Sequence, residues 1–401
     1  MAPRPLLGAV LLAGCVSSDV APFYNIGGDH DGSGEEDSSG SSSAGDASDS
    51  TGEPADEAPL PEYDGDPLPD APVGVWQWVD FPEASCRDGT PTGIGVRRGE
   101  SDNLVVFFEG GGACFNGFTC LANPDHFDLD DFIAWVDPAG SRGLFDRDHP
   151  ANPVADWSVV YVPYCSGDVH AGDNHGVTIV DAPGVQSFAG YTNVDAYLRR
   201  VVPTFGGAPE VLVTGVSAGG FGSGFNYHRL ARVFSGKVTL LDDSGPVMRD
   251  DYLAPCLQAQ WREVWNFDGT LPEACADCFA ADGGGIWHII EFLAARHPEQ
   301  RMGFISSERD ATISIFYGFG LDECAGLGAI YPGARFTAGL HDLRDHILRP
   351  AGNAGSYFIP GVEHTFIAGS RFYDTEVDGV RLTDWVADLL AGEVSHVSPP
   401  Q

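Results

Sequence analysis

From residue 71 onward, short runs of apolar residues alternate with segments of helical periodicity. The runs are rich in β-branched and aromatic residues, as expected for strands that are buried on both faces. Alternation of this kind predicts a mostly parallel, doubly wound sheet with helices on both faces. The predicted strands are residues 104–108, 157–162, 211–214, 238–241, 302–305 and 356–359, and the clearest helices are residues 194–202, about 222–233, 286–295 and 382–390.

The first 70 residues lack this alternation and divide into two parts. Residues 1–15 combine a basic residue, a short apolar stretch and small residues before Cys15, which is the pattern of an export signal. The end of this segment, Leu-Ala-Gly-Cys, is similar to a bacterial lipobox, in which the cysteine is lipidated; a plain cleaved signal peptide is the alternative. Residues 16–70 contain 15 acidic residues, no lysine or arginine and much Ser, Gly and Pro, which predicts a solvated tether. One folded domain is expected over residues 71–401.

The charge of the chain excludes one class of partner. The net charge is −37, of which residues 71–401 carry −23. Nucleic acid requires a basic surface that neutralises phosphates, so no nucleic-acid partner is expected. Membrane contact is expected only through a lipid anchor at Cys15, which makes the protein either a cell-envelope lipoprotein or a secreted protein. We expect a monomer. No cofactor is expected, and no metal either, because no cluster of ligand residues stands out in the sequence.

Eight cysteines follow Cys15, and an even number is typical of disulfides in an exported protein. Two of them form a Cys-x-x-Cys pair at residues 275–278, a spacing that also occurs in zinc and redox sites. Zinc would need a second pair at matching spacing, and a redox motif would open a helix after a strand. The sequence meets neither condition and favours structural disulfides. The eight cysteines are Cys86, Cys114, Cys120, Cys165, Cys256, Cys275, Cys278 and Cys324.

The strand at residues 211–214 is followed at once by residues 215–219, Gly-Val-Ser-Ala-Gly. Such a pentapeptide is common by chance, but a strand before it and a helical segment after it are the context of the nucleophile elbow of α/β-hydrolases. There a sharp turn exposes the serine hydroxyl, and the flanking glycines allow close backbone approach. Ser217 is therefore the predicted nucleophile; an incidental serine in a glycine-rich turn is the alternative.

Acyl transfer also needs hydrogen-bond donors directed at the oxyanion that develops on the carbonyl group. In this fold one donor is the amide of the residue after the serine, here Ala218, and another comes from an earlier strand-to-helix loop. Residues 109–112, Glu-Gly-Gly-Gly, follow the strand 104–108 and match that loop. The glycines allow backbone amides to face the substrate without interference from side chains; an ordinary tight turn is the alternative.

A histidine base should come last in the chain order Ser, Asp or Glu, His. His364 lies in a loop just after the strand 356–359, where the base belongs. His341 and His346 are rivals, but both lie in a polar and helical run, where solvated histidines are common. Glu363, beside the predicted base, is expected to tune its pKa or to cap a helix.

The acid that orients the base should lie between the serine and the histidine. Asp310 comes a few residues after the strand 302–305 and is the predicted acid. Asp242 and Asp243 directly follow the strand 238–241 and are the runners-up. A buried carboxylate at this position would fix the tautomer of the imidazole, which activates the serine.

Several motifs together resemble the pectin acetylesterase family, which also contains the Notum carboxylesterases. The resemblance extends from about Trp76 to about Leu390 and implies a carboxylic ester hydrolase with the α/β-hydrolase fold. It also implies that Asp243 lies in a structural segment. The motifs are Cys-Arg-Asp-Gly-Thr-Pro at residues 86–91, Phe-Glu-Gly-Gly-Gly-Ala-Cys-Phe-Asn at 108–116, Pro-Tyr-Cys-Ser-Gly-Asp at 163–168, Gly-Val-Ser-Ala-Gly-Gly at 215–220 and Asp-Ser-Gly at 243–245.

The resemblance assigns roles to particular residues of this chain. It implies disulfides between Cys86 and Cys165 and between Cys114 and Cys120. The other four cysteines pair among themselves, which leaves three connectivities open. The implied catalytic residues are Ser217, Asp310 and His364, and the implied oxyanion hole is formed by the amides of Gly111, Gly112 and Ala218.

Two features of this chain argue against taking its substrate from known members of the family. The residue before the oxyanion-loop cysteine is usually aromatic in the family, and here it is Ala113. A small residue there is expected to widen or reshape the acyl side of the pocket. The charge of −23 would also repel pectin, which is a polyanion. Neutral, less charged or small acyl esters are at least as good candidates.

The sequence therefore predicts an exported serine esterase that deacetylates a glycan, or cleaves another O-acyl ester, through an acyl-serine intermediate. The substrate would be an acylated small molecule or a glycan ester. The same triad would also serve an amidase or a thioesterase, because it supports acyl transfer in general. The contrasting hypothesis is a non-catalytic binding protein of the cell surface that retains the hydrolase fold.

Overall fold

The computed structural model describes residues 59–325 and 328–400. The predicted signal segment 1–15, with Cys15, and residues 16–58 of the predicted tether lie outside the described residues. Within the described ranges, no helix combines the length and the apolar character needed to cross a membrane.

Strands and helices alternate along the described domain. The strands are β1 Trp76–Ser85, β2 Pro91–Arg97, β3 Leu104–Phe108, β4 Ser158–Val162, β5 Asn174–Thr178, β6 Val185–Phe188, β7 Glu210–Val216, β8 Lys237–Asp243, β9 Met302–Ser307, β10 Ala354–Ile359, β11 Glu376–Val377, β12 Val380–Arg381 and β13 His396–Val397. The α-helices are α1 Gly117–Ala122, α2 Leu129–Val136, α3 Gly190–Phe205, α4 Ala218–Val233, α5 Pro255–Trp265, α6 His288–Arg296, α7 Ala311–Gly318, α8 Gly333–Leu343, α9 Arg349–Ala351, α10 Arg371–Asp374 and α11 Leu382–Ala391.

Nine of the strands form one sheet in the order β1-β2-β4-β3-β7-β8-β9-β10-β13. The pairs from β4 to β13 are parallel, and β1 and β2 add an antiparallel edge. All six predicted strands are present in this sheet, so the predicted mostly parallel α/β fold is confirmed. The antiparallel edge was not predicted, because β1 is only partly buried and its polar residues interrupt the apolar run.

Both faces of the sheet are covered, as the continuous apolar runs require. In β3, Leu104, Val106 and Phe108 belong to one hydrophobic cluster, while Val105 and Phe107 belong to a second. The first cluster contains residues of α3, α4, α6 and α8, and the second contains residues of α2 and α11. Successive side chains of a strand point to opposite faces, so one apolar run supplies both layers of the core.

Helix α4 begins at Ala218, four residues earlier than the predicted start near residue 222. The first two turns contain four glycines, which lower helix propensity and hide the helix from a pattern-based prediction. The helix nevertheless starts directly after β7 because its first turn packs against the end of β3. A Cβ on Gly219 would lie 2.0 Å from the carbonyl oxygen of Phe108.

The folded part begins before residue 71, where the tether was predicted to end. Gly65 N donates to the carbonyl oxygen of Arg199 on α3 at 3.0 Å. Leu68 N donates to Thr204 Oγ1 on the same helix at 2.7 Å, and the Leu68 side chain is buried. These contacts place residues 65–68 in the domain, although their composition resembles that of the tether.

The eight cysteines of the domain form four disulfides. The structure contains the two pairs that the resemblance implied, Cys86–Cys165 and Cys114–Cys120. It also selects one of the three connectivities that the sequence left open, with pairs Cys256–Cys324 and Cys275–Cys278. The Cys-x-x-Cys pair is therefore a local disulfide between its own two members.

We expect loss of the Cys86–Cys165 disulfide to lower the free energy of unfolding by about 4 kcal/mol, because it closes a long loop in the unfolded chain. Its sequence separation is 79 residues, whereas the Cys275–Cys278 separation is 3 residues. Removal of the short pair should cost only about 2 kcal/mol on the same argument. Chemical denaturation of the two double Cys→Ser variants measures both values. Equal losses would show that loop length does not determine the effect.

Candidate active site

Ser217 occupies the sharp turn between β7 and α4. Its backbone angles are φ 58° and ψ −120°, a conformation that is strained for any residue other than glycine. The strain is held by a hydrogen bond from Ser217 N to the carbonyl oxygen of Asp243 on the adjacent strand β8, at 2.8 Å. This is the geometry of the predicted nucleophile elbow.

The glycines on either side of Ser217 are required by close backbone contacts. A Cβ on Gly215 would lie 2.2 Å from the carbonyl oxygen of Gly219 and 2.6 Å from that of Phe108. Both distances are well inside van der Waals contact, so no larger residue fits without a shift of the backbone. The Gly-x-Ser-x-Gly pattern is thus explained by the packing of the turn against β3.

His364 and Asp310 form a direct hydrogen-bonded pair. His364 Nδ1 lies 2.7 Å from Asp310 Oδ2, and Asp310 is fully buried. The other carboxylate oxygen accepts hydrogen bonds from the amides of Thr312 and Ile313, each at 2.9 Å. A carboxylate that accepts from Nδ1 places the ring proton there and leaves the lone pair on Nε2.

The free nitrogen of His364 belongs to the same cavity as Ser217. Both side chains line a cavity of about 390 Å³, together with residues 110–112. His364 Nε2 is buried and makes no hydrogen bond to any residue that the structure describes. A buried nitrogen without a protein partner is unusual, and a reacting hydroxyl group would supply that partner.

The predicted oxyanion donors have no competing acceptor. Among the hydrogen bonds formed within residues 59–325 and 328–400, none has the amide of Gly111, Gly112 or Ala218 as its donor. Ala218 is the first residue of α4, and amides at the start of a helix have no acceptor within the helix. The partial positive charge at this helix end also favours a developing anion.

Three side chains hold the carbonyl groups of the oxyanion loop. His170 Nε2 donates to the Glu109 carbonyl at 2.8 Å, Asn123 Nδ2 to the Gly111 carbonyl at 2.7 Å, and the Tyr164 hydroxyl to the Gly112 carbonyl at 2.7 Å. Because a peptide is planar, a fixed carbonyl fixes the direction of the next amide. Sequence reasoning missed all three residues. Tyr164 lies in the motif at 163–168, whereas Asn123 carries no recognisable signal.

His170 is held in its neutral form. Burial lowers its pKa to about 4, so the ring carries a single proton at neutral pH. Since the Glu109 carbonyl can only accept, that proton is on Nε2. His170 therefore acts as a fixed donor that supports the oxyanion loop.

The rival histidines have other partners. His341 Nε2 lies 3.1 Å from Glu308 Oε1, and His346, exposed on the surface, lies 3.7 Å from Asp342. Neither pairs with Asp310. The expectation for Glu363 was wrong as regards helix capping, because its exposed carboxylate accepts from the amide of Val362 in the same loop.

The runner-up acids support the backbone. Asp243 Oδ2 accepts from the amides of Phe366 and Ile367 at 2.6 and 2.8 Å, so it holds the loop that follows His364. Asp242 accepts from the amide of Gly245 at 2.8 Å. Burial raises the pKa of Asp243 to about 6 and that of Asp242 to about 8.

Comparison with protein families agrees with this geometry. The family model described as Pectinacetylesterase matches residues 77–281, which is half of the chain. The chain belongs to the pectinacetylesterase family. The matched region contains Ser217 and the oxyanion loop but ends before Asp310 and His364. The positions of the predicted acid and base in this family member therefore rest on the structure, where Asp310 and His364 form a hydrogen-bonded pair.

Several curated relatives of this pectinacetylesterase-family chain are Notum proteins. Palmitoleoyl-protein carboxylesterase notum2 of Xenopus laevis is 29% identical over 218 residues, which cover 49% of this chain and 43% of that protein. Palmitoleoyl-protein carboxylesterase NOTUM of Homo sapiens is 29% identical over 213 residues, which cover 48% of this chain and 42% of that protein. The matches thus span less than half of these relatives' length.

A solved structure shares the fold of this family member. The Wnt deacylase Notum from Drosophila superposes with a TM-score of 0.59 at 18% sequence identity, covering 81% of this chain and 96% of that one. At this identity the likeness concerns the fold alone, and it extends beyond the region that the family model matches.

Ala113 lines a second cavity, whose wall also includes Ser217 and whose volume is about 30 Å³. This volume gives no sign of the widening that a small residue at position 113 was expected to produce. Phe316 lies against Gly112, where an added Cβ would be 3.2 Å from the Phe316 ring. The wall carries no charged residue and consists of Gly112, Ala113, Val169, Ser217, Ala218, Phe221, Phe225, Trp261, Trp265, Ile313, Phe316 and Tyr317.

One group of possible metal ligands occurs on the surface. His126, Asp128 and Asp131 place ligand atoms within 4.8 Å of one another. Asp128 and Asp131 already form the capping box at the start of α2, and His126 Nε2 lies 3.2 Å from Asp128. Helix capping accounts for this cluster without an ion.

Proposed function

We propose that this chain is a serine carboxylesterase that removes a short acyl group, above all acetyl, from a larger alcohol such as a glycan. One observation carries the proposal: Asp310 holds His364 Nδ1, while His364 Nε2 has no hydrogen-bond partner among the described residues and His364 lines the cavity that also contains Ser217. A histidine in this state is a base that is ready to accept the proton of a serine hydroxyl group.

The reaction follows from these positions. As Ser217 Oγ bonds to the ester carbonyl carbon, its proton passes to His364 Nε2, and the oxyanion is stabilised by the amides of the loop and of Ala218. When the C–O bond to the alcohol breaks, His364 returns the proton to the leaving oxygen. Water then attacks the acyl-serine with His364 again as base, which releases the acid and restores the serine.

The alcohol half and the acyl half of the ester are assigned to different cavities. His364 must reach the leaving oxygen, so the alcohol occupies the cavity of about 390 Å³ that His364 lines. The acyl group then occupies the apolar cavity of about 30 Å³ beside Gly112 and Ala218. By this measure one water molecule needs about 10 to 15 Å³, so the cavity suits an acetyl group and excludes a long chain. In this respect the proposed substrate differs from the palmitoleoyl proteins that the relatives' names describe.

Export remains part of the proposal. Four disulfides in one domain are typical of an oxidising compartment. We propose that residues 1–15 direct export, that Cys15 carries a lipid anchor and that the acidic segment holds the domain away from the membrane. Radiolabelled palmitate should enter the wild-type protein but not a Cys15→Ser variant; no incorporation into either would favour plain secretion.

We expect kcat/KM to be highest for p-nitrophenyl acetate and to fall by at least about 100-fold for the octanoate, because each methylene beyond the cavity must displace packed side chains. Phe316→Ala should enlarge the acyl cavity and raise the octanoate-to-acetate ratio. Ile315→Ala is the matched control, since its side chain is 47% exposed and does not line the cavity. A wild-type preference for octanoate would contradict the assignment, and no hydrolysis of any ester would contradict the function itself.

A further inference from the structure

A cavity of about 450 Å³ lies next to the acyl cavity and takes no part in the proposed reaction. We call it the basic cavity, because His228, Arg229 and Arg232 contribute to its wall. The acyl cavity, by contrast, is lined by no charged residue that the structure describes. Among the described residues, Phe225 is the only one that lines both cavities.

Helix α4 leads from the nucleophile to the basic cavity. Its first residue is Ala218, and Phe221 and Phe225 follow on the same face at spacings of three and four residues. Both phenylalanines line the acyl cavity, and Arg229 lies one helical turn beyond Phe225. At the rise of an α-helix, Phe225 lies about 10 Å along the axis from Ala218. An acyl group that extends from Ser217 along α4 therefore meets Phe225 before it reaches the basic cavity.

The ring of Phe225 is packed between other aromatic rings. Its centroid is 6.5 Å from that of Phe221, which also lines the acyl cavity, and 5.1 Å from that of Phe267. Phe267 is fully buried and stands two residues before the segment 269–274, which forms part of the wall of the basic cavity. The Phe225 side chain is only 7% exposed. The ring thus contacts one aromatic neighbour toward each cavity and forms part of the partition between them.

The charge of Arg229 is not paired with a carboxylate of the described residues. Its Nε and Nη2 donate to Asn226 Oδ1, and Nη2 also donates to the carbonyl oxygen of Tyr191 at 2.9 Å. Its Nη1 is buried and has no hydrogen-bond partner within the part of the chain that the structure describes. Glu273 is the only acidic residue of the described wall, and it is exposed. An anionic group that entered the basic cavity would therefore be attracted to Arg229.

We infer that Phe225 sets the upper limit of acyl length by separating the acyl cavity from the basic cavity. This inference rests on the proposed function and concerns the acyl half of the same site. Space for a longer chain exists beyond the ring, but to admit the chain the ring must leave its packing against Phe221 and Phe267, which costs free energy. Without the ring, the two cavities would form one continuous space that is apolar near Ser217 and basic near Arg229.

The first test removes the ring. In Phe225→Ala, the ratio of kcat/KM for p-nitrophenyl octanoate to that for the acetate should rise by at least about tenfold, because the extra methylenes then enter existing space. Phe225→Leu disturbs the core less and should raise the same ratio by about threefold. Leu230→Ala is the matched control, since it truncates a buried side chain of α4 that lines neither cavity. Its ratio should stay within about twofold of the wild-type value.

The second test shows where the longer chain lies. The p-nitrophenyl monoester of suberic acid has an acyl group as long as octanoyl, but its far end is a carboxylate. The ratio of kcat/KM for the suberate ester to that for the octanoate should be at least about tenfold higher in Phe225→Ala than in Phe316→Ala. Phe316 lines the acyl cavity but not the basic cavity, so in Phe316→Ala the terminal carboxylate meets no cation.

Either of two results would overturn the inference. One is an unchanged octanoate-to-acetate ratio in both Phe225 variants while they still hydrolyse the acetate, which shows that they are folded. The other is an equal suberate-to-octanoate ratio in Phe225→Ala and Phe316→Ala, which would show that the chain does not enter the basic cavity. Failure of the proposed function would be a different result, because the wild type would then hydrolyse neither the acetate nor the octanoate.

Discussion

We expect the Ser217→Ala enzyme to hydrolyse esters at least about 10⁴-fold more slowly than the wild type, because no other group can form the acyl intermediate. The fold should survive, since alanine retains the Cβ that the turn already accommodates. The strained backbone at φ 58° is held by the hydrogen bond from the Ser217 amide to Asp243, which does not involve the side chain.

Two measurements separate this loss from damage to the fold. A fluorophosphonate probe should label the wild type and fail to label Ser217→Ala, while the circular dichroism and the unfolding midpoint remain close to those of the wild type. Ser223→Ala is the matched control on the same helix, where the buried hydroxyl group donates to the Gly220 carbonyl at 2.7 Å. It should keep both labelling and turnover. Turnover by Ser217→Ala above about 1% of the wild type would contradict the assignment of the nucleophile.

Asp310→Asn should lower kcat by about 10³- to 10⁴-fold with little change in KM. The reason is that the two carboxylate oxygens of Asp310 have different hydrogen-bond partners. One oxygen is already engaged by the amides of Thr312 and Ile313, so a carboxamide keeps its oxygen there and presents its NH₂ to His364 Nδ1. The imidazole must then accept at Nδ1 and carry its proton on Nε2, where it cannot take the proton of serine.

Asp243→Asn is the comparison for this variant. The Asp243 carboxylate holds the amides of Phe366 and Ile367, and an amide oxygen can accept the same two hydrogen bonds. We expect a loss of kcat of less than about tenfold, together with a change in stability. If Asp243→Asn lowered kcat more than Asp310→Asn, the acid would have been assigned to the wrong aspartate.

The candidate site was predictable where its residues adjoin a strand. Ser217 and Asp310 each follow a strand of the parallel sheet by a few residues, and His364 follows a third. Parallel strands end at the same edge of a sheet, so residues that follow them meet there even when they are far apart in the chain. The hydrogen bond between Asp310 and His364 is the outcome of that rule.

For other parts of the site, no pattern in the neighbouring sequence predicted their role. Asn123 and His170 hold the oxyanion loop through hydrogen bonds to residues that lie 12 and 61 positions earlier in the chain. The width of the acyl cavity could not be read from Ala113, because Phe316 approaches from α7 and narrows it.

The sequence by itself determined the parallel sheet, the elbow and the chain order of the triad, because apolar periodicity, glycine spacing and strand ends are local properties of a chain. Only the tertiary structure decided the pairing of the last four cysteines, the early start of α4 and the contents of the two cavities. These depend on which distant segments pack together, and many sequences with the same local pattern could pack differently. The predicted nucleophile could therefore be named from a pentapeptide and its flanking strand and helix, whereas the shape of the two cavities depends on the whole fold.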